Sequence, residues 1–293
     1  MIDLEYIRSF FPPVIVGDSR FNRYMLKEYL QLLILNHLSS TPYIHKLSFI
    51  GGTNLRLVQG IDRFSEDLDF DCKNLSREEF WKMTDDVVRY LKQNNIDVET
   101  RDKLNPHLNA YRRNLYFPQM LFNLGLTGHK DERLLLKIEA QDQGVSYPVV
   151  VANINKMGFF FGVPVPPLDV LCSMKFSAIL ARQKGRDFYD AMFLLSKTGP
   201  NIDFLRSREG ISSVDELRAA VAVKLQSVDL DHKKRDFAHL LFNEANAERI
   251  LQFPAVVEEY LTKTFDTNPE IFSVALEARE LPLPGTNVWG VGE

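Results

Sequence analysis

One segment constrains this chain more than any other: Phe49-Ile-Gly-Gly-Thr-Asn-Leu-Arg-Leu-Val-Gln-Gly-Ile-Asp-Arg-Phe-Ser-Glu-Asp-Leu-Asp-Phe-Asp71. Lys46 to Ile50 is a short apolar strand that runs straight into Gly51-Gly52-Thr53, the mouth of a short helix ended by Gly60. A second strand, Leu68 to Cys72, follows with Asp67, Asp69 and Asp71 at a spacing of two. Small residues at a helix N-terminus leave N–H groups pointing at whatever docks there, and glycines let a phosphate come close. Gly-Gly-Thr alone is a weak signal, and Thr53 could equally be a plain N-cap. The aspartates strengthen it. Period two puts Asp67 and Asp69 on one strand face, where paired carboxylates suit hard, oxygen-liganded Mg²⁺ ions. Two such ions clamp the attacking and leaving oxygens of an in-line nucleotidyl displacement. Asp71 continues that face and could help bind metal, but at the outer end of the strand it is read as solvated.

Further candidates lie downstream. In Leu134-Leu-Leu-Lys-Ile-Glu-Ala140, Lys137 and Glu139 share one strand face. Glu139 is the expected third metal ligand and could deprotonate an attacking hydroxyl; the alternative is an edge-strand glutamate paired with Lys137. Lys175 and Arg182 share one face of a helix over residues 169–182. The turn Gly185-Arg-Asp-Phe-Tyr-Asp190 opens the next helix, with Asp187 and Asp190 spaced as in a cap. A lysine in the apolar Leu171–Leu180 stretch needs a partner, either a bound triphosphate or one of these aspartates. Arg56 and Arg63 could contact phosphates or pair with Glu66 and Asp67.

The surroundings read as α+β. Asp18-Ser19 can cap a helix to about Leu38, and Ser76-Arg-Glu-Glu79 is a capping box for a helix to about Lys92. Strands are expected near residues 96–100, 114–117, 133–139 and 148–154, which makes residues 1–165 a mixed-sheet domain. Composition shifts at Val163-Pro-Val-Pro-Pro167. Helices expected over 169–182, 188–197, 213–225, 233–242 and 247–264 make residues 166–266 a bundle. The Pro/Gly-rich tail, 267–293, offers one short helical candidate near Phe272–Ala278.

Bulk properties narrow the setting. A chain of 293 residues with 45% hydrophobic and 25% charged residues is an ordinary globular protein. It has no membrane-length apolar run, no signal-peptide pattern at Met1-Ile-Asp-Leu-Glu, and only two cysteines, so cytoplasm is the expected compartment. A net charge of −4 argues against a surface that binds nucleic acid everywhere. Between Arg101 and Lys137, however, seven basic residues outnumber three acidic ones, a local charge of +4, with Tyr111, Tyr116 and Phe117 interleaved. That stretch is either a solvated set of strand edges and loops or a face for nucleic acid or phosphate.

Taken together, Gly51-Gly-Thr-Asn-Leu-Arg56, Arg63-Phe-Ser-Glu-Asp-Leu-Asp-Phe70, Leu136-Lys-Ile-Glu139 and Lys175…Arg186-Asp-Phe-Tyr-Asp190 resemble the AbiEii/AbiGii family of nucleotidyltransferase toxins, to which the MenT toxins are related. The resemblance covers about residues 45–200. It implies a DNA-polymerase-β-like nucleotidyltransferase domain followed by a helical domain, with a place in a toxin–antitoxin or phage-defence (abortive-infection) pair and a cognate antitoxin. By motif match, Gly51, Gly52, Thr53, Asp67 and Asp69 would form the nucleotide and metal site, and Lys175 and Asp187 would be essential. Arg56, Arg63, Ser65, Lys137, Arg186 and Asp190 join the expected nucleotide contacts. NTP is the implied substrate, Mg²⁺ the cofactor, and the 3′ end of tRNA the implied acceptor. Two departures stand out. Some relatives carry a lysine directly before the glycines, where this chain has Phe49-Ile50, and the tail after Phe265 has no counterpart.

Overall fold

The computed structural model describes residues 2–101 and 110–262. Helices α1 (Leu4–Arg8) and α2 (Pro13–Val16) lead through one 3₁₀ turn, capped by Asp18, into α3 (Asn22–Ser39). Strand β1 (Leu47–Ile50) runs into α4 (Gly51–Leu57), and β2 (Leu68–Cys72) precedes α5 (Arg77–Gln93), which has the expected Ser76/Glu79 capping box. Then come β3 (Glu99–Thr100), β4 (Tyr111–Phe117), α6 (Met120–Asn123), β5 (Leu134–Gln141), β6 (Val150–Lys156) and β7 (Phe159–Val165). Helices α7 (Leu168–Ala181), α8 (Gly185–Leu195), α9 (Ile202–Glu209), α10 (Val214–Leu225), α11 (Leu230–Lys233) and α12 (Phe253–Thr262) complete the α+β fold.

Five strands form one sheet in the order β1-β2-β5-β4-β3, parallel only between β2 and β5. Strands β6 and β7 form a separate antiparallel hairpin. Its turn is Met157-Gly158, both at positive φ, the geometry that matches the twist of a two-residue hairpin. The proline-rich segment expected to break the chain therefore begins inside β7. Pro164 is tolerated there because a two-stranded ribbon leaves strand positions whose N–H is not needed.

Three helical expectations change. Helix α9 was not anticipated, although Asn201 caps its start and Gly210, at φ +73°, ends it. The helix expected over 233–242 is instead α11 followed by 3₁₀ turns at Lys234–Asp236 and Ala238–Leu240. Over 247–264, 3₁₀ geometry continues to Gln252 and α-helix starts only at Phe253, where Pro254 fits a first turn that needs no N–H donor. The tail 267–293 with its helical candidate, and Asp102 and Lys103 of the basic stretch, lie outside the described residues.

Two large cores organise the chain. The first packs α1, α3, α5 and the sheet with Ile154, Phe161 and Val163 of the hairpin. The second packs residues from α7 to α12 together with Leu55 and Ile61, which flank the turn out of α4. Backbone bonds reinforce that junction: Phe64 N–H donates to Leu240 O, and Phe242 N–H to Asp62 O. The segment leading to β2 is thus held on both sides. Among the described residues no helix is long and apolar enough to cross a membrane.

Candidate active site

The turn from β1 into α4 meets β2 at very close quarters. Gly51 has φ +77°, a region open to glycine, and a Cβ placed there would lie 2.8 Å from Asp69 Cβ. A Cβ on Gly52 would lie 2.7 Å from both Arg63 Nη2 and Ser65 Oγ. The first glycine makes room for a carboxylate and the second for an arginine. Thr53 is not an N-cap, because α4 already begins at Gly51. Its hydroxyl donates to the Asp67 carbonyl, while Asn54 Nδ2 donates to Phe49 O at 2.7 Å, so α4 is stapled to both strands.

Three carboxylates line the sheet beside this turn. Asp67 immediately precedes β2, Asp69 is inside it, and Glu139 of β5 is the register partner of Asp69. The antiparallel pairing of β4 places Arg112 opposite Glu139, and the two form an ion pair at 2.8 Å. Lys137 Nζ lies 3.3 Å from Asp67. Burial first, then the neighbouring Glu139 and Asp67, push the Asp69 carboxyl up to about 6, against the pull of Lys175 and Arg186. Crowded, partly desolvated carboxylates of this kind are short of positive charge, and their hard oxygen donors suit Mg²⁺. As they stand, Lys137 and Arg112 serve two of them, and among the described residues no three metal-binding side chains converge on one point.

Asp71 is not solvated. It is buried, accepts from Gln143 N at 2.9 Å and from the Tyr147 hydroxyl, and has Lys73 at 3.8 Å. Although it continues the period of Asp67 and Asp69, it clamps the loop after β5 rather than joining the carboxylate group.

The opposite wall comes from α7 and α8. Lys175 Nζ lies 2.7 Å from Asp190 Oδ2 and 3.3 Å from Asp187 Oδ1. Arg182 grips Asp187 with two donors, at 2.8 and 3.0 Å. Arg63 reaches from the segment before β2 and grips Asp190 with two donors, both at 2.7 Å. Capping does not explain these aspartates: Lys184 holds the N-cap position, and both carboxylates are fully buried. Desolvation would raise the Asp187 carboxyl, yet Lys175 and Arg182 outweigh it and hold it well below the usual range. Desolvation is likewise outweighed at Asp190, here by Arg63 and Lys175.

Between the walls lies a cleft of about 450 Å³. Of the residues expected from sequence, Gly51, Asp67, Asp69, Lys137, Glu139, Lys175 and Arg186 line it. Gly52, Thr53, Ser65, Asp187 and Asp190 stand behind that lining. Arg63 is spent on Asp190 rather than on phosphate, Glu66 or Asp67. Arg56 pairs with Glu28 at 2.8 Å and packs over the Phe242 ring, and Glu66 pairs with Lys27 at 2.9 Å. The basic stretch disperses. Arg101 and Arg133 pair with Glu99, Arg113 with Asp85, and Lys130 lies over Phe122, so only Arg112 and Lys137 of its described cations line the cleft.

Beyond Arg112, which the sequence offered only as one member of the basic stretch, sequence reasoning missed the polar lining side chains Gln141, Gln143, Ser177, Lys184, Arg208 and Glu209. The alternation of β5 could have found Gln141, two residues beyond Glu139, and Lys184 is separated from Arg186 only by Gly185. A Cβ on that glycine would overlap the Lys233 carbonyl, so the start of α8 sits hard against the end of α11. Arg208 carries no local signal, and the basic stretch does not single out Arg112; helix packing places the first and strand register the second.

At 16% identity, 88% of this chain superposes on 99% of MenT4, a nucleotidyltransferase toxin from Mycobacterium tuberculosis, with a TM-score of 0.52, a likeness of fold. JHP933 from Helicobacter pylori is 20% identical, with 87% of this chain and 97% of that one covered and a TM-score of 0.48. No curated protein sequence matches the chain. The family described as nucleotidyl transferase AbiEii toxin of type IV toxin–antitoxin systems matches residues 33–271, and the chain belongs to that family of nucleotidyltransferases.

Proposed function

We propose that this nucleotidyltransferase moves a nucleoside monophosphate from an NTP to the 3′-hydroxyl of an RNA, with tRNA as the acceptor class, and that a cognate antitoxin opposes it in the cytoplasm. The observation that carries the reading is the facing of two unlike walls across one cleft. Asp67, Asp69 and Glu139 stand on the sheet side, and Lys175, Arg182, Lys184 and Arg186 on the helical side. Asp67, Asp69 and Glu139 would hold Mg²⁺ there. When bound, the metal supplies Lewis-acid stabilisation of charge on the reacting phosphate.

The chain's own residues do the rest. Gly51 leaves the sheet wall open beside Asp69. The helical-side cations and Lys137 attract the polyphosphate and favour the charge that develops on the leaving pyrophosphate. Glu139, once freed from Arg112, accepts the proton of the attacking hydroxyl. The acceptor oxygen bonds to the α-phosphorus, and the bond from that phosphorus to the α,β-bridging oxygen breaks.

The test is incubation with each α-labelled NTP, Mg²⁺ and total tRNA, with Asp69→Ala as control. Label in the tRNA fraction, absent from the control, is the expected result. Label in protein or in a small molecule would reassign the acceptor. No label in any fraction with the fold intact would favour a nucleotide- or partner-binding module.

A further inference from the structure

A fully buried arginine sits just behind the cleft, and nothing in phosphate chemistry requires it there. Arg63 is 1% exposed, its Nη1 donates to Phe64 O at 2.9 Å, and its remaining donors form a fork on Asp190. Arginine keeps its charge in any protein interior, so such a site is tolerable only with a buried carboxylate in fixed register. The chain makes room for it deliberately, since any side chain at Gly52 would collide with the guanidinium.

Charge accounting shows what the pair does. Asp187 is taken by the fork of Arg182 and Asp190 by the fork of Arg63, and Lys175 bridges both aspartates from the cleft side. Three cations against two carboxylates leave one positive charge in excess. Lys175 and Arg182 both line the cleft and both act on Asp69, and Lys175 is the one of the two that touches both carboxylates. Without Arg63, Lys175 would be the only counter-ion of Asp190, and the excess would vanish.

We infer that Arg63 is a positioning residue: it neutralises Asp190 from behind, so that Lys175 presents its charge to a triphosphate in the cleft. The pair also joins the segment that carries Asp67 and Asp69 to α8, fixing one wall against the other. This rests on the nucleotidyl-transfer reading above. It differs from direct phosphate contact by Arg63, for which the guanidinium has no exposed donor.

The experiment is titration of the full chain with ATP, GTP, CTP and UTP in Mg²⁺ without acceptor. It compares wild type, Arg63→Met, Arg63→Lys, Asp190→Asn and the double variant Arg63→Met/Asp190→Asn, each checked for folding by circular dichroism. Arg63→Met should weaken binding of the preferred NTP tenfold or more. The double variant removes one charge of each sign and keeps the excess on Lys175, so its affinity should return to within about threefold of wild type. Should Arg63→Met fail to fold, the double variant, in which no buried charge is left unpaired at that pair, still decides. A double variant as weak as a direct-contact loss demands, tenfold or more, would overturn the inference, as would a folded Arg63→Met that binds normally. Wild type that binds no NTP would overturn the nucleotidyl-transfer reading itself and this inference with it.

Discussion

Asp69 and Glu139 are direct register partners across the parallel ladder between β2 and β5, with Arg112 facing Glu139 from the next strand. The ladder holds two carboxylates side by side, and one arginine compensates one of them. Asp69 is left to share its charge with distant cations. Replacing it should therefore separate activity from stability. Asp69→Asn should lower nucleotidyl transfer by about 10³-fold while raising the melting temperature in metal-free buffer. Millimolar Mg²⁺ should raise the melting temperature of wild type and leave that of Asp69→Asn unmoved. Thermal scans with and without EDTA, beside the transfer assay, check both.

Gly51 and Gly60 form a natural pair for a second measurement. Both have positive φ, at +77° and +80°, but a Cβ on Gly60 would meet nothing within 4 Å. Gly60→Ala should cost only the left-handed backbone penalty, about 1–2 kcal/mol, with transfer retained. Gly51→Ala adds the collision with Asp69 and should abolish most transfer. Urea denaturation and kcat/KM for the two variants give the difference; equal loss of activity in both would contradict the close-approach account.

The Asp187 and Asp190 carboxyls contribute to the acid limb of stability. Both are held below the ordinary value of 3.8 in the folded protein. Their contribution is complete above that value and is lost as pH falls through it toward the depressed folded values. Unfolding free energy should therefore drop steeply below about pH 4. The double variant Arg63→Met/Asp190→Asn should drop less steeply over the same range. Urea titrations at stepped pH read the slope directly.

Tyr147 tests the clamp on the loop after β5. Its hydroxyl donates to buried Asp71, which also accepts from Gln143 N, and Gln143 O accepts from Arg208 Nη1 at 2.7 Å. Burial and the hydrogen bond to Asp71 hold the phenol far above its usual range, so it stays a donor. Tyr147→Phe should cost roughly 1–3 kcal/mol. Hydrogen exchange should show faster opening of the Gln143 amide, with the carboxylate strand unaffected.

The two ends of the Phe49–Asp71 segment were legible because they depend on local geometry. Two glycines after an apolar strand announce a sharp entry into a helix, and aspartates at a spacing of two announce one strand face. The capping box at Ser76 and the alternation that exposes Lys137 and Glu139 together are of the same kind. The same period misled at Asp71, since periodicity reports a face and not what covers it; Tyr147 comes from a loop many residues away. Local capping rules likewise suggested Asp187 and Asp190 as helix caps, although their partners lie on α7 and, for Asp190, also before β2.

By itself, then, the sequence determined the family, the α+β order of elements, and the carboxylate and lysine side chains that share the cleft. Only the tertiary structure decided which charges face that cleft and which are consumed behind it. Arg56 and Arg63 look alike in the chain, and both are consumed, one by Glu28 and the other by Asp190. Arg208, silent in the chain, and Arg112, only one of seven basic residues in its stretch, line the cleft. The reason is physical: a charge's role depends on the nearest opposite charge and on burial, and folding sets both through contacts that no local spacing encodes.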